Sequence, residues 1–457
     1  MDWTRASGGK QDRPVRRRTI VSGESTRGNE TAAPTGAATA AAASAPASAR
    51  ASESAPASAS ASAPAGVYAG LRVLDLSRVL AGPYCGQFFA DFGADVIKVE
   101  DLGGDENRRW APLLDGQSAN YLSVNRGKRG MTLDLKSPEG QDILRALVRR
   151  SDVVIDSFLP DAAVRLGVDD ASLRRINPDV VHVTISGYGD TGPLRGRPGY
   201  DLMLQAFTGM MSITGEPDRG PIRAGASVID MSTGMLAFSG AASALFARQR
   251  GAGGQHVKVS LLETGIALLG YHAVDVAATG VQPQRGGSGV WHLVPYQAFP
   301  TLDGSILAGA TNDDTWRRLC TALGVPALAE RPEYRGAHDR IAHRGALIAE
   351  LEAIFRTRDT DDWIARLDAA RVPCSVIHDV PAALAHPQVA ATQMMLDVPE
   401  PGGPNRRLTG VPIKLDVTPA TPGAAPPRLG QHTTEILMQE LGYDPQRIEA
   451  LRTRSVI

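Results

Sequence analysis

From Leu71 onward the sequence alternates between two hydrophobic periods, and few chain topologies accept that pattern. Leu71-Arg-Val-Leu-Asp-Leu76 has the alternation of a strand, Ala81 to Gly93 that of a helix with Pro83 in its first turn, and Asp95-Val-Ile-Lys-Val-Glu100 is a second strand. Ser137-Pro-Glu opens a capped helix that runs to Arg150, and Asp152–Asp156 and Asp179–Ser186 are further strands. A helix rich in small residues follows Asp230 and stops near Gly251–Gly254; Gln255–Ser260 is a strand, and another helix begins near Leu261. Strands alternating with helices imply an α/β fold: a Rossmann-like parallel sheet covered on both faces, with ligands gathered beyond the carboxyl ends of its strands.

The alternation occupies residues 67–279, read as a large domain. From about Gly280 the texture changes to Gly-rich loops, a strand at Ser305–Gly309 and helices from Asn312 and Arg344, which predicts a smaller α+β domain over 280–399. Pro- and Gly-rich stretches then lead through residues 400–457, ending in a helix from about His432, as a segment returning to the large domain. Residues 1–66 are a different polymer: 25 of the 36 positions from Thr31 to Gly66 are Ala or Ser, and Trp3 is the sole aromatic before Tyr68. Such a stretch buries too little apolar area to offset its backbone entropy, so it is expected to be disordered.

Charge and cysteine content narrow the function classes. With 48 Lys+Arg against 49 Asp+Glu, no counterion-release drive toward nucleic acid exists, and no uninterrupted apolar run approaches the ~18–20 residues that a bilayer span needs. Cys85, Cys320 and Cys374 lie far apart without CxxC spacing, which argues against a disulfide framework or a cysteine zinc site and for a reducing compartment, the cytoplasm. A mitochondrial matrix address follows if the Arg- and Ser-bearing leader is a transit peptide. The sequence has no GxxxxGK[ST], HExxH or GxSxG motif, nor GxGxxG after the first strand, so small-molecule partners without a resident metal or dinucleotide are expected.

The segments Val79-Leu-Ala-Gly-Pro83, Phe92 to Glu100, Asn125-Arg-Gly-Lys-Arg129, Ser186-Gly-Tyr-Gly-Asp-Thr-Gly-Pro193, Arg197-Pro-Gly-Tyr-Asp201 and Leu429 to Leu437 occur in one order, and together they resemble the class III CoA-transferases. The likeness runs from about Val67 to the C-terminus, and Val294-Pro-Tyr-Gln-Ala-Phe299 is most similar to the succinate:hydroxymethylglutarate CoA-transferase branch. The resemblance implies transfer of CoA from an acyl-CoA donor, possibly succinyl-CoA, to a carboxylic or dicarboxylic acid. It implies no cofactor beyond those substrates, and an intertwined homodimer. It places the nucleophile at Asp230, where a helix start is expected to keep the carboxylate ionised. Tyr200 and Asp201 are implied beside it, as substrate donor and steering group. Val79 and Leu80 are implied at the thiol end of CoA, Phe158 at the adenine and Arg165 at a phosphate. Tyr121 and the loop glycines Gly286, Gly287 and Gly289 are implied around the reacting group.

Three departures accompany the likeness. Ser157-Phe-Leu-Pro-Asp161 replaces the family's Asn-Phe-Arg-Pro-Gly; Asp101 replaces a CoA-contacting arginine, leaving Lys98, Arg108 and Arg109 to supply charge; and Leu80 replaces a glutamine. Two rival readings are an α-methylacyl-CoA racemase, which needs a His where Tyr200 stands, and a non-catalytic CoA-binding protein.

Overall fold

The computed structural model describes residues 66–400, Gly403 and 405–457; the expectation for residues 1–65 lies outside them. The large sheet is built from β1 (Arg72–Asp75), β2 (Asp95–Glu100), β3 (Arg129–Thr132), β4 (Val153–Asp156), β5 (Val181–Ser186) and β6 (His256–Ser260). All neighbours pair in parallel, in the order β3-β2-β1-β4-β5-β6. The order reverses between β1 and β4, and at such a switch point the connections leave a crevice beyond the strand ends.

Alternate residues of each short strand enter opposite cores, which is why the strands read as unbroken apolar runs. On one face Leu74, Ile97, Met131 and Val154 pack under helices Pro138–Val148, Pro160–Arg165 and Asp170–Ile176. The C-terminal helices Thr433–Leu441 and Pro445–Thr453 complete that layer with Ile436, Leu437, Ile448 and Leu451. On the other face Val73, Val96, Val153, Ile155 and Val183 meet α1 (Ala81–Asp91), the long α2 (Val228–Ala247) and α3 (Leu261–Leu268). Small residues let α2 approach closely: a Cβ on Gly234 would stand 2.6 Å from the Ala81 carbonyl oxygen. By length and composition α2 with its following turn suffices to cross a membrane, yet half of it is buried inside this fold.

Two sequence expectations shift here. β3 was not read as a strand, because four residues containing Arg129 and Gly130 carry almost no apolar signal. The helix expected to follow Asp230 begins at Val228, so Asp230 lies in its first turn and Ser227 occupies the cap.

Residues 296–376 hold a second sheet, β7 (Tyr296–Pro300), β8 (Ser305–Gly309) and β9 (Cys374–Val376), antiparallel in the order β9-β8-β7. Helices Asp313–Ala322, Arg344–Phe355 and Thr360–Ala369 cover it, burying Trp316, Leu351, Phe355 and Trp363 with Phe299 and Ile306. Beyond it, Met395–Val398 pairs with Arg406–Thr409. The chain then closes the open edge of the large sheet: the Gly130 N–H donates to His432 Nδ1 (3.0 Å), the His432 N–H to the Gly130 carbonyl (2.8 Å), and the Thr132 N–H to Thr433 Oγ1 (3.1 Å).

Candidate active site

The turn after β1 is held in a conformation its residues would not adopt alone. Val79 has φ +68°, a left-handed setting unusual for a β-branched side chain and costing on the order of 1–3 kcal/mol. Asp105 holds it by accepting the Val79 N–H (3.1 Å to Oδ2), and Asn107 Nδ2 donates to its carbonyl (2.5 Å). Beneath the turn lies a buried ionic framework. Lys128 Nζ donates to Asp75 Oδ2 (2.8 Å), the Pro83 carbonyl (2.6 Å) and Asn125 Oδ1 (2.9 Å), while Lys98 Nζ donates to the Ser77 carbonyl (2.9 Å). Burial lowers the Lys128 ammonium to about 8 despite Asp75 beside it; burial likewise pushes the Asp75 carboxyl up, but Lys128 and Lys98 outweigh this and hold it below its ordinary value.

Over the switch point opens a cleft of about 220 Å³ whose wall includes Val79, Leu80, Phe158, Tyr200 and Asp230. Arg78 and Phe158 also border a neighbouring hollow of about 110 Å³, beyond the ends of β1, β2 and β3, lined by Glu100, Asp101, Leu133 and Lys136. The two hollows thus form one track across the strand ends. The Arg78 guanidinium stands 5.7 Å from the Phe158 ring centre, at the join.

Asp230 is 8% exposed at the cleft floor. It does not receive the helix-start amides expected to keep it ionised. Asp201 takes them: its Oδ1 accepts the N–H of Ile229 (2.8 Å) and of Asp230 (3.1 Å), and Gln205 Nε2 donates to its Oδ2 (2.6 Å). Burial, and then the facing Asp201 charge, push the Asp230 carboxyl up to about 7. Asp201 itself is buried at the start of α2 with both oxygens engaged, and it does not line the cleft wall. Tyr200 is 48% exposed on the wall, its hydroxyl donating to Glu106 Oε1 (3.2 Å). Burial and Glu106 raise its pKa, which makes it a still poorer base and counts against the racemase reading.

Other expected residues lie elsewhere. Tyr121 is fully buried under the Arg108 guanidinium, 3.7 Å from its ring centre, and its hydroxyl accepts from Arg108 Nη2 (2.6 Å); it borders a separate hollow with Gln117 and Arg428. Arg165, exposed in the last turn of its short helix, lines neither hollow of the track. Gly286, Gly287 and Gly289 form a turn pinned to the Gly215 carbonyl by the Gly287 N–H (3.0 Å), outside the cleft wall. The charge expected from Lys98 and Arg108 is spent internally, on Asp105 and Glu100, and Arg109 donates to the Gly103 carbonyl (3.0 Å). The arginines that do line the cleft, Arg78, Arg195 and Arg197, were not singled out from sequence. Arg197 was within the quoted Arg197–Asp201 segment, but a lone exposed arginine carries no signal of its own.

Comparison with known proteins shows the family. The model for CoA-transferase family III matches residues 68–433. A succinate–glutarate CoA-transferase of Agrobacterium fabrum is 38% identical over 81% of this chain and 95% of its own length, and the human succinyl-CoA:glutarate CoA-transferase is 33% identical over 85% and 89%. The crystal structure of a CAIB/BAIF family protein from Brucella suis superposes with a TM-score of 0.75 at 35% identity, covering 82% of this chain and 100% of that one. The chain belongs to CoA-transferase family III and is an acyl-CoA:carboxylate CoA-transferase of that class.

Proposed function

We propose that the protein carries CoA between dicarboxylic acids through a thioester on Asp230, with succinyl-CoA as donor and a glutarate-like acid as acceptor. The observation that carries this reading is a single buried carboxylate, Asp230, on the floor of a cleft whose wall also holds Val79, Leu80 and Phe158. An Asp230 oxygen attacks the thioester carbonyl and expels CoA thiolate, leaving a mixed anhydride. The thiolate then attacks the Asp230 carbonyl, the donor acid departs as carboxylate, and CoA remains joined to Asp230. An acceptor carboxylate reverses both steps and leaves as its CoA thioester. Burial serves the chemistry by keeping water from the anhydride.

The track across the strand ends offers CoA a course from the Lys136 hollow past Arg78 and Phe158 to Asp230. Arg195 and Arg197 on the cleft wall give a second carboxylate a cationic partner, in line with the dicarboxylates named for the Agrobacterium and human relatives. The exposed apolar side chains Met235, Leu236 and Phe246 of α2, and Leu202, Met203 and Phe207 of the helix Asp201–Phe207, suit a homodimer, and the unpaired thiols suit a reducing compartment such as the cytoplasm.

Intact-mass measurement after mixing with succinyl-CoA tests the mechanism. The reading requires an adduct of CoA less water on Asp230, discharged by glutarate and absent in Asp230→Ala. Turnover with no such adduct at any time would overturn it.

A further inference from the structure

Away from the cleft, three acceptor atoms converge with no donor between them. Asp170 opens the helix Asp170–Ile176, and His182 and His256 are cross-strand partners on β5 and β6, their rings stacked 4.4 Å apart. The surrounding hydrogen bonds fix the ring protons. Thr184 Oγ1 donates to Asp156 Oδ2 (3.0 Å), so His182 Nε2, 2.7 Å from the same oxygen, donates to it. With its hydrogen spent, Thr184 Oγ1 accepts from His256 Nε2 (2.8 Å). Both Nδ1 atoms are therefore bare lone pairs. They face Asp170 Oδ1 at 3.4 and 3.9 Å, while Arg174 Nε takes the other oxygen, Oδ2, at 2.9 Å.

His182 is 1% exposed, and its Nδ1 and Asp170 Oδ1 are buried without a hydrogen-bond partner. A shared proton does not explain the spacing, since an N–H···O contact closes to about 2.7–3.2 Å. A tetrahedral cation does explain the closer pair: ligands about 2.0–2.1 Å from zinc stand roughly 3.3–3.4 Å from one another, as His182 Nδ1 and Asp170 Oδ1 do. The partly exposed His256 ring, stacked at 7° on His182, would have to turn out of the stack to bring its Nδ1 in from 3.9 Å and aim it at the same ion.

We propose that Asp170, His182 and His256 bind one zinc-type divalent cation, with water as the fourth ligand on the side where Asp170 and His256 are partly exposed. The outer contacts that such a site needs are present, Asp156 on His182 and Thr184 on His256. Asp156 also accepts the Phe158 N–H through Oδ1 (2.9 Å), so the cation would brace the strand end that carries the cleft wall. The sequence reading assigned no metal, because only the β5–β6 register pairs the two histidines.

The test uses full-length protein stripped by chelator and dialysed against zinc alone, with bound metal counted by elemental mass spectrometry. About one zinc per chain is expected, with affinity at least tenfold weaker in Asp170→Asn and in His256→Gln. Both substitutions are at partly exposed positions, and circular dichroism checks that each variant is folded. Cobalt in place of zinc is expected to give visible absorption of tetrahedral intensity, lost in the same variants. No retained zinc, retention unchanged in both folded variants, or preference for magnesium over zinc would each overturn the site.

Discussion

A carboxylate that attacks a thioester has to be ionised, yet Asp230 is set in surroundings that make ionisation costly. With its carboxyl pushed up to about 7, the free enzyme gains the proposed nucleophile as pH rises through that value, so kcat/KM should climb through about pH 7 to a plateau. Asp201→Asn keeps an oxygen for the Ile229 and Asp230 amides but removes the facing charge. Its acidic limb should move to lower pH, and a pH–rate profile with an unmoved limb would sink this account of the pair. The same shift has a stability cost of the opposite sign to the usual carboxylate. Between about pH 4 and 7 the folded state holds a proton on Asp230 that the unfolded state has lost, so this group's contribution falls as pH rises. Asp230→Asn, inactive in transfer, should therefore resist urea better than the parent near pH 8, by an amount on the order of a few kcal/mol, with the difference vanishing near pH 4.

At the level of elements, the site depends on α1 and α2 lying nearly in backbone contact. Gly234→Ala would drive a methyl group into the Ala81 carbonyl, and overpacking of this kind costs about 1–3 kcal/mol. Because Ala81 also lines the cleft, KM for acyl-CoA should rise along with the loss in melting temperature; a stability loss with KM unchanged would separate packing from site geometry. Lys128→Met tests the ionic framework below. It leaves Asp75 buried with Lys98 and Ser77 as its remaining partners, so it should destabilise by about 3 kcal/mol in urea titration, more than loss of an exposed lysine would. The elements themselves were largely legible, since strands buried on both faces announce themselves as Val/Ile/Leu runs bounded by turns. β3 was not, with its Arg129 and Gly130, nor was three-residue β9. Asp230 could be picked out, but not the fact that Asp201, 29 residues earlier in the chain, occupies the amides at its helix start. That relation belongs to tertiary placement, as do the cleft arginines at 195 and 197.

For the molecule as a whole, the proposed homodimer predicts a light-scattering mass of two 48.2 kDa chains. Leu236→Glu together with Phe246→Glu, which place charge on the exposed row of α2, should halve it. A parent protein already scattering as one chain would refute the dimer. The sequence pointed to a closing C-terminal segment through its Pro- and Gly-rich approach and final helical period, but not to where that segment docks. His432 and Thr433 seal the β3 edge, and Ile436, Leu437, Ile448 and Leu451 lie beneath the sheet strands nearest the N-terminus.

Thr132 and Thr433 meet although they stand 301 positions apart in the chain. During synthesis, then, Leu74, Ile97 and Met131 have left the ribosome long before their last covering helices exist. The helices between residues 138 and 176 cover part of that apolar face early, and the nascent chain carries the rest of it bare until its final stretch emerges, the kind of surface that holdase chaperones bind.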